Sequence, residues 1–520
     1  MGIVTEDNRY WWVASAMALC VVVLTIDFFG VSVALPSIGR ELGTSTSTLA
    51  WVINAFMLGL VGTLVVGGRL GDLLGRRRML LAGLLTFTAS SILCGLAPSA
   101  VWLIVGRAIQ GAAAGFLFSN SLSIATNAFP SDKRHVAVSF WAGIGTVGSA
   151  VGPFVGGLLT DELSWRWFFF INIPFGVAAL FLILLVVRES RDEDAPRIID
   201  WMGCTLTIAG MVLLVLGLEL SNSLGWQDLA VWITLVVAVV VLAAFVIVER
   251  KVRFPLIDFQ LFSGRDFVCA SLIGFLINFT LGALMLFLAL YLQHVLRLSP
   301  LTAGLIFLGY SVMLAVVSLL NAKIMETLGP RHTVIIGMAL NAASFLILFF
   351  CDTETGIAVI VAALALGGAG QALAYTTAAS IAMASVPEQK GGAASGTLGC
   401  VRIAGTAVGV AVATALFKAL ENDELSALIA KAGGSLSAAS IREIKGLLAG
   451  TDAAAAELAK AAPAAASTMR TIVDQAFVTG FGGLMAFCAV LSVIGVAVAF
   501  MLRPVLVTAK DEVIEEIEPE

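Results

Sequence analysis

Apolar residues along this chain do not alternate with polar ones at a strand or surface-helix period. They come in long runs of 18 to 29 residues separated by short polar stretches. A helix needs about 20 mostly apolar residues to cross a hydrocarbon layer ~30 Å thick. Fourteen runs meet that length, near 12–35, 50–68, 79–97, 101–125, 136–159, 167–187, 201–220, 229–248, 267–292, 299–321, 333–350, 357–385, 394–418 and 476–502. An even number of crossings predicts both termini on one side. Setting the seventh and eighth runs aside leaves six before and six after. The predicted organisation is therefore a six-helix bundle over 1–190, a linker with two membrane helices over 191–262, and a second six-helix bundle over 263–505, followed by a tail at 506–520. The stretch 419–473 breaks the pattern of short loops. It is rich in Ala, Leu, Lys and Glu and is punctuated by Gly433, Gly434, Gly450 and Pro463, so it reads as a helical hairpin or two short amphipathic helices on the outer face. Two roles stay open for it: a cap outside the translocation path, or a docking site for a periplasmic adaptor.

Composition agrees with an all-α integral membrane protein. Of 520 residues, 59% are apolar and 12% charged, against about 25% charged in soluble domains, and the mean hydropathy is +1.00. Soluble, collagen-like and disordered classes are excluded. The net charge of −5 is concentrated at the end, where Asp511, Glu512, Glu515, Glu516, Glu518 and Glu520 form an acidic cytoplasmic tail, so no nucleic-acid partner is expected. Lys and Arg in short loops are retained in the cytoplasm. Nineteen of the 30 fall on one set of segments, including Arg69, Arg76, Arg77 and Arg78, while the short loops of the other set hold only Arg40, Arg166 and Arg297. Both termini are therefore expected to be cytoplasmic, in a multi-pass protein of the cytoplasmic (inner) membrane. The seven cysteines lie singly, without a C-x-x-C pair, and the three histidines are far apart. Neither a disulfide framework nor a metal site is expected.

An internal repeat accompanies the six-plus-six count. GRLGDLLGRR at 68–77 matches AKIMETLGPR at 322–331, pairing Asp72 with Glu326 and Gly75 with Gly329, while GTVG at 145–148 matches GTLG at 396–399. The offsets, 254 and 251, are nearly equal.

Two glycine-bearing segments carry mechanical chemistry. In GRLGDLLGRRR (68–78), Gly68, Gly71 and Gly75 let two helix ends approach closely, and Asp72 is placed to accept from exposed helix-terminal N–H groups and to pair with Arg76. Such a loop is a conformational latch. In GSAVGPFVGG (148–157), Gly148, Gly152 and Gly156 recur every four residues and make a smooth face for a neighbouring helix, Pro153 invites a kink, and Gly157 adds a second small position.

These segments, with LIVGRAIQGAAAG (103–115), LTIDFFGVSVALP (24–36) and WRWFFFINIPFG (165–176), resemble the major facilitator superfamily, and within it the fourteen-helix drug/proton antiporters. The resemblance spans the chain apart from 419–473 and the tail. It implies the major facilitator fold, two six-helix bundles plus two linker helices, a loop at 68–78 that holds the cytoplasmic side closed in one state, and multidrug efflux driven by protons without a cofactor.

Ionisable groups at membrane depth cost several kcal/mol unless paired or wet, and mark a pathway. Asp27 lies eight residues before the expected outer end of the first helix and Arg107 six residues into the fourth from the same side, so the two share a depth tier. Burial disfavours a charged carboxylate and a nearby Arg favours it, which is the balance a proton carrier needs. A structural hydrogen bond is the other reading of Asp27, and a structural pair that of Arg107. Arg402 and Glu219 are further candidates for coupling or substrate contact, as are Gln110, Gln371 and Tyr375, and Phe28 and Phe29 could offer cation–π contacts. Helices 9 to 12 hold no firmly mid-membrane acid, so a neutral amphiphile or a monocation fits better than a dication. The expected function is proton-coupled efflux of apolar, cationic drugs or toxic compounds by alternating access, which would confer antibiotic resistance. Export of one endogenous metabolite or antibiotic is the same-class alternative and an uptake symporter the different-class one. No clustered nucleophile, base or metal set suggests an enzyme, and no phosphate-binding loop suggests ATP drive.

Overall fold

Inside a bilayer no water satisfies backbone N–H and C=O groups, so long apolar runs fold as helices, which pair those groups internally. The computed structural model describes residues 8–130, 134–191, 200–252, 259–386, 391–431 and 463–503, and the regular elements among them are helical. In order these are α1 (Arg9–Leu42), α2 (Thr46–Leu74), α3 (Arg76–Gly95), α4 (Ala100–Ala128), α5 (Arg134–Glu162), α6 (Trp165–Phe170), α7 (Asn172–Val186), α8 (Trp201–Leu224), α9 (Leu229–Glu249), α10 (Arg265–Leu290), α11 (Pro300–Leu328), α12 (Pro330–Phe349), α13 (Ile357–Ala384), α14 (Gly391–Lys431) and α15 (Pro463–Phe500). A π-helical turn at Tyr291–Val295 prolongs α10.

Each predicted run coincides with a helix, the sixth with the pair α6–α7. Among the described residues twelve spans are long and apolar enough to cross a membrane, and a thirteenth is added if the two parts of α2, bent by 41°, are taken together. Fourteen crossings therefore remain an expectation, with α5 the predicted span not among the thirteen.

The repeat read from the sequence reappears in the packing. α1 lies along α5 as α10 lies along α14, α2 along α4 as α11 along α13, and α3 along α4 as α12 along α13. Gly75 and Gly329, paired by the repeat, end α2 and α11 with φ of +116° and +78°, a backbone region that favours glycine. α8 and α9 pack mainly on each other, with α8 also touching α2 and α14. The membrane ends of α1, α2, α3, α11 and α12 that carry Arg9, Arg69, Arg76–Arg78, Lys323 and Arg331 are here called the basic face.

Two helix ends differ from expectation. α1 runs on through Pro36 to Leu42, so Asp27 lies fifteen residues from its end, ~22 Å at 1.5 Å per residue, rather than eight. The segment after 418 is no separate hairpin at its start. α14 and α15, 41 and 38 residues long, continue unbroken past the ~30 Å layer and pair beyond it through Leu425, Met469, Ile472 and Ala476. Ala- and Leu-rich sequence keeps helical propensity after hydropathy falls. Residues 432–462 of the predicted insertion, and the tail at 506–520, lie outside the described residues. Because the extensions hold each other, replacing 432–462 with a short Gly/Ser linker is expected to leave folding intact. Closure entropy changes by only ~0.6 kcal/mol per doubling of loop length, and monodispersity on size exclusion checks the outcome.

Candidate functional site

Asp27 of α1 and Arg107 of α4, placed at one depth by the sequence, form an ion pair, both 0% exposed. Arg107 Nη1 donates to Asp27 Oδ2, while Oδ1 accepts from Gln110 Nε2 at 3.1 Å and from Asn172 Nδ2 at 2.8 Å. Both amides also donate to the hydroxyl of Ser91, at 2.7 and 3.1 Å. Arg107 donates further to Gln110 Oε1 (2.7 Å) and to the Val52 carbonyl (3.2 Å). Its guanidinium lies 4.1 Å from the Phe56 ring centroid and 5.9 Å from that of Phe169. Helices α1, α2, α3, α4, α6 and α7 thus converge on one ion pair and its amide partners. Each donor suits the ionised form. A proton on the unoccupied side of Asp27 Oδ2 would turn that position from acceptor to donor and leave Arg107 without its counter-ion.

Phe28 and Phe29 follow Asp27 on α1, and their cation–π contact with a substrate stays an expectation. They pack edge-to-face on each other at 4.8 Å, because a side chain at i+1 or i+2 points away from the face that carries Asp27. Phe56 and Phe169, not singled out by the sequence, are the rings beside the Arg107 guanidinium. Asn172 and Ser91 were missed as well. Asn172 sits within the quoted WRWFFFINIPFG segment, which was a usable signal, whereas Ser91 in SSILCG carries none.

The α5 glycine motif serves two interfaces. On one edge, Gly148, Gly152 and Gly156 meet α1. A Cβ built on Gly152 would lie 3.1 Å from the Ile26 carbonyl oxygen, and one on Gly156 would run into that of Gly30. One position round the helix, Pro153 and Gly157 meet α11. A Cβ on Gly304 would come within 2.5 Å of the Pro153 oxygen, and one on Gly157 would run into that of Pro300. Gln293, in the π-helical turn, donates to the Val33 carbonyl at 2.8 Å. The first and second halves of the chain therefore touch at the face opposite the basic one, while the basic-face half of α11 (312–328) is largely exposed or half-buried.

At the basic face, Arg76 Nε and Nη2 donate to Asp72 Oδ1 at 2.9 and 2.7 Å, as expected. The free N–H groups of α3 are not held by Asp72. Those of Arg77 and Arg78 donate to the Glu189 carboxylate at 3.0 and 3.2 Å, and the Arg76 N–H to the Ser190 carbonyl at 2.9 Å. Asp72 lies at the end of α2, four residues before Arg76, and cannot also reach over the start of α3. Glu189, just after α7, faces it. Gly75 lies against that carboxylate, 2.6 Å from the position of a built Cβ, and Gly71 abuts Asn120 of α4. Gly68 is looser, with Ser119 Cβ at 3.5 Å.

A family model described as "Major Facilitator Superfamily" matches residues 17–200 and 270–422. The chain belongs to that superfamily. As a major facilitator it is similar to the "Multidrug resistance protein Stp" of Mycobacterium tuberculosis, 34% identical over 398 residues, covering 76% of this chain and 74% of that one. It also resembles the "Tetracenomycin C resistance and export protein" of Streptomyces glaucescens, 28% identical over 506 residues, with 95% and 92% covered. Among solved structures, a bacterial homologue of the human lysosomal transporter Spinster in an inward-facing, occupied conformation superposes with a TM-score of 0.67 at 17% identity, over 95% and 97% of the two chains. The protein is a multi-pass membrane transporter of small molecules.

In the second half of this major facilitator, the remaining candidates separate. Arg402 on α14 stacks over Tyr375 of α13, 3.9 Å from the ring centroid, and donates through Nη2 to the Tyr375 carbonyl at 2.9 Å. Gln371, one turn before Tyr375, is buried. The Glu219 side chain, on α8, lies outside what is described. Among the described residues no site brings Gln371, Tyr375 and Arg402 together with Asp27, whose network is built from the first seven helices alone.

Proposed function

We propose that this transporter exports apolar drugs or toxic compounds across the cytoplasmic membrane in exchange for protons. Halves at 1–190 and 263–505 alternate about a central path, 191–262 links them, and the basic face with both termini is cytoplasmic. The observation that carries the reading is the sealed Asp27–Arg107 network. A carboxylate at membrane depth with a single counter-ion and two amide donors has two arrangements, ionised with its counter-ion balanced or protonated with Arg107 left uncompensated, and coupling needs such a two-state element. Substrate binding in one half would favour one arrangement and release the proton. Asp27 is too fully engaged to meet a cationic drug directly, so the substrates are apolar, neutral or singly charged amphiphiles.

The relatives named for multidrug resistance and for export of tetracenomycin C support the direction of transport. The test is a growth-inhibition panel in a host stripped of its own pumps. Tolerance raised severalfold to several unrelated apolar compounds supports multidrug export, tolerance to a single compound supports the one-substrate alternative, and sensitisation would indicate uptake.

Asp72 and Arg76, with Glu189 beside them, act as the cytoplasmic latch. The Asp72–Arg76 pair is half-buried and worth ~1 kcal/mol or less to stability, so Asp72→Ala is expected to leave the amount of inserted protein unchanged while cutting efflux severalfold. Immunoblotting of membranes beside a fluorescent-dye efflux assay checks both halves of that statement.

A further inference from the structure

A cavity of about 280 Å³ lies at the basic face of the first half, and none of the Asp27 network lines it. It is formed where the start of α1 (Arg9, Tyr10), the end of α4 (Asn127, Ala128) and the segment after α7 (188–190) meet. Its wall is apolar at Val13, Ile124 and Val187, each no more than 5% exposed. Its charged groups are Arg9, Arg188 and Glu189. Glu189 is already matched, since its carboxylate accepts from two N–H groups of α3 and lies 3.7 Å from Arg78 Nε. Arg9 is tethered through Nε alone, to the Val186 carbonyl at 3.1 Å. The cavity therefore offers cationic donors over an aliphatic wall. Guanidinium groups are kept out of hydrocarbon, so Arg9 and Arg188 set its depth at the aqueous edge, where a soluble acidic segment suits it.

One such segment belongs to this chain. α15 ends at the same face, where Arg331 of α12 donates to the Phe500 carbonyl at 2.8 Å. Beyond it, 504–520 carries Asp511, Glu512, Glu515, Glu516, Glu518 and Glu520 interleaved with Val513, Ile514 and Ile517. α10 packs on both α15 and α1, which puts α1 about two helix spacings from α15, ~20 Å. Residues 504–511 alone can extend ~26 Å. Charge, aliphatic content and reach all match. We propose that the acidic tail of the second half docks in this cavity of the first, its carboxylates on Arg9 and Arg188 and its aliphatic side chains on the Val13 and Ile124 wall. Docked there, the tail bears on Glu189 and Ser190, which hold the start of α3, and so fastens the second half to the latch of the first.

The test uses the full chain purified into phosphatidylcholine nanodiscs, with parallel discs that contain phosphatidylglycerol. Asn127→Cys, in the cavity, and Thr327→Cys, exposed at the basic end of α11, are labelled with uncharged N-ethylmaleimide. Reaction of the seven buried native cysteines is subtracted. Replacing the six tail acids by Asn or Gln is expected to speed labelling of Asn127→Cys at least fivefold and to leave Thr327→Cys unchanged. Arg9→Glu with Arg188→Glu should speed it similarly, and changing the six tail acids to Lys in that background should restore slow labelling. The tail variant carries the test if the arginine variant does not fold. An Asn127→Cys rate that neutralising the tail leaves unchanged would overturn the proposal. Labelling that is slow only in phosphatidylglycerol discs, with or without the tail acids, would also overturn it and give the cavity to a lipid headgroup.

Discussion

Arg107→Ala is expected to remove most folded protein from the membrane. The variant leaves Asp27 at zero exposure with only Gln110 and Asn172 as donors, and breaking one side of a buried pair costs about 3–5 kcal/mol. It also empties the volume over Phe56, which the guanidinium covers at 4.1 Å. Replacing both partners should be milder than replacing one, because Asp27→Asn with Arg107→Gln removes both charges and keeps hydrogen-bonding groups of similar shape. The ordering to be measured, by thermal unfolding monitored on size exclusion, is wild type, then the double variant, then Arg107→Ala. A single variant as stable as wild type would mean that Asp27 takes up a proton as soon as its counter-ion is gone, so that the pair contributes nothing to stability.

A smaller loss is expected from one methyl group at Gly156. Its Cβ would strike the Gly30 backbone of α1, which cannot move aside as a flexible side chain can. Overpacking of this kind costs typically about 1–3 kcal/mol, and α1–α5 is among the most extensive helix pairings in the fold. The control lies in the matching segment of the second half. At Gly396 nothing lies within 4 Å of a built Cβ, so Gly396→Ala should be neutral or gain up to ~1 kcal/mol from helix propensity. Unfolding temperatures of Gly156→Ala and Gly396→Ala should therefore move apart. Equal shifts would remove the α1–α5 contact as the reason for the glycine spacing.

What the sequence made legible follows from what a membrane constrains. Among the described residues hydropathy located each long helix, though not the break between α6 and α7, since crossing length and burial of backbone polar groups leave few alternatives. Depth arithmetic paired Asp27 with Arg107, and the four-residue glycine spacing found the α1 contact. Hydropathy does not mark where a helix stops. α1 passes through Pro36, and α14 and α15 continue beyond the layer on alanine and leucine. Short polar residues inside apolar runs have no period, so Ser91 was invisible. Glu189 is separated from the helix it caps by more than 110 residues of sequence, and no local pattern links them. The rings beside Arg107, Phe56 and Phe169, come from helices other than that of Asp27, so no local pattern marked them.

The central claim is that Asp27 exchanges its proton during export, and proton counting tests it most directly. Purified transporter in detergent at low buffer strength is titrated with an exported compound while released protons are followed with a pH-sensitive dye, for wild type and Asp27→Asn. The account predicts release on substrate addition by wild type, and none by a folded Asp27→Asn that still binds the compound. Equal release from both proteins would contradict it and move the coupling carboxylate elsewhere, Glu219 being the first place to look.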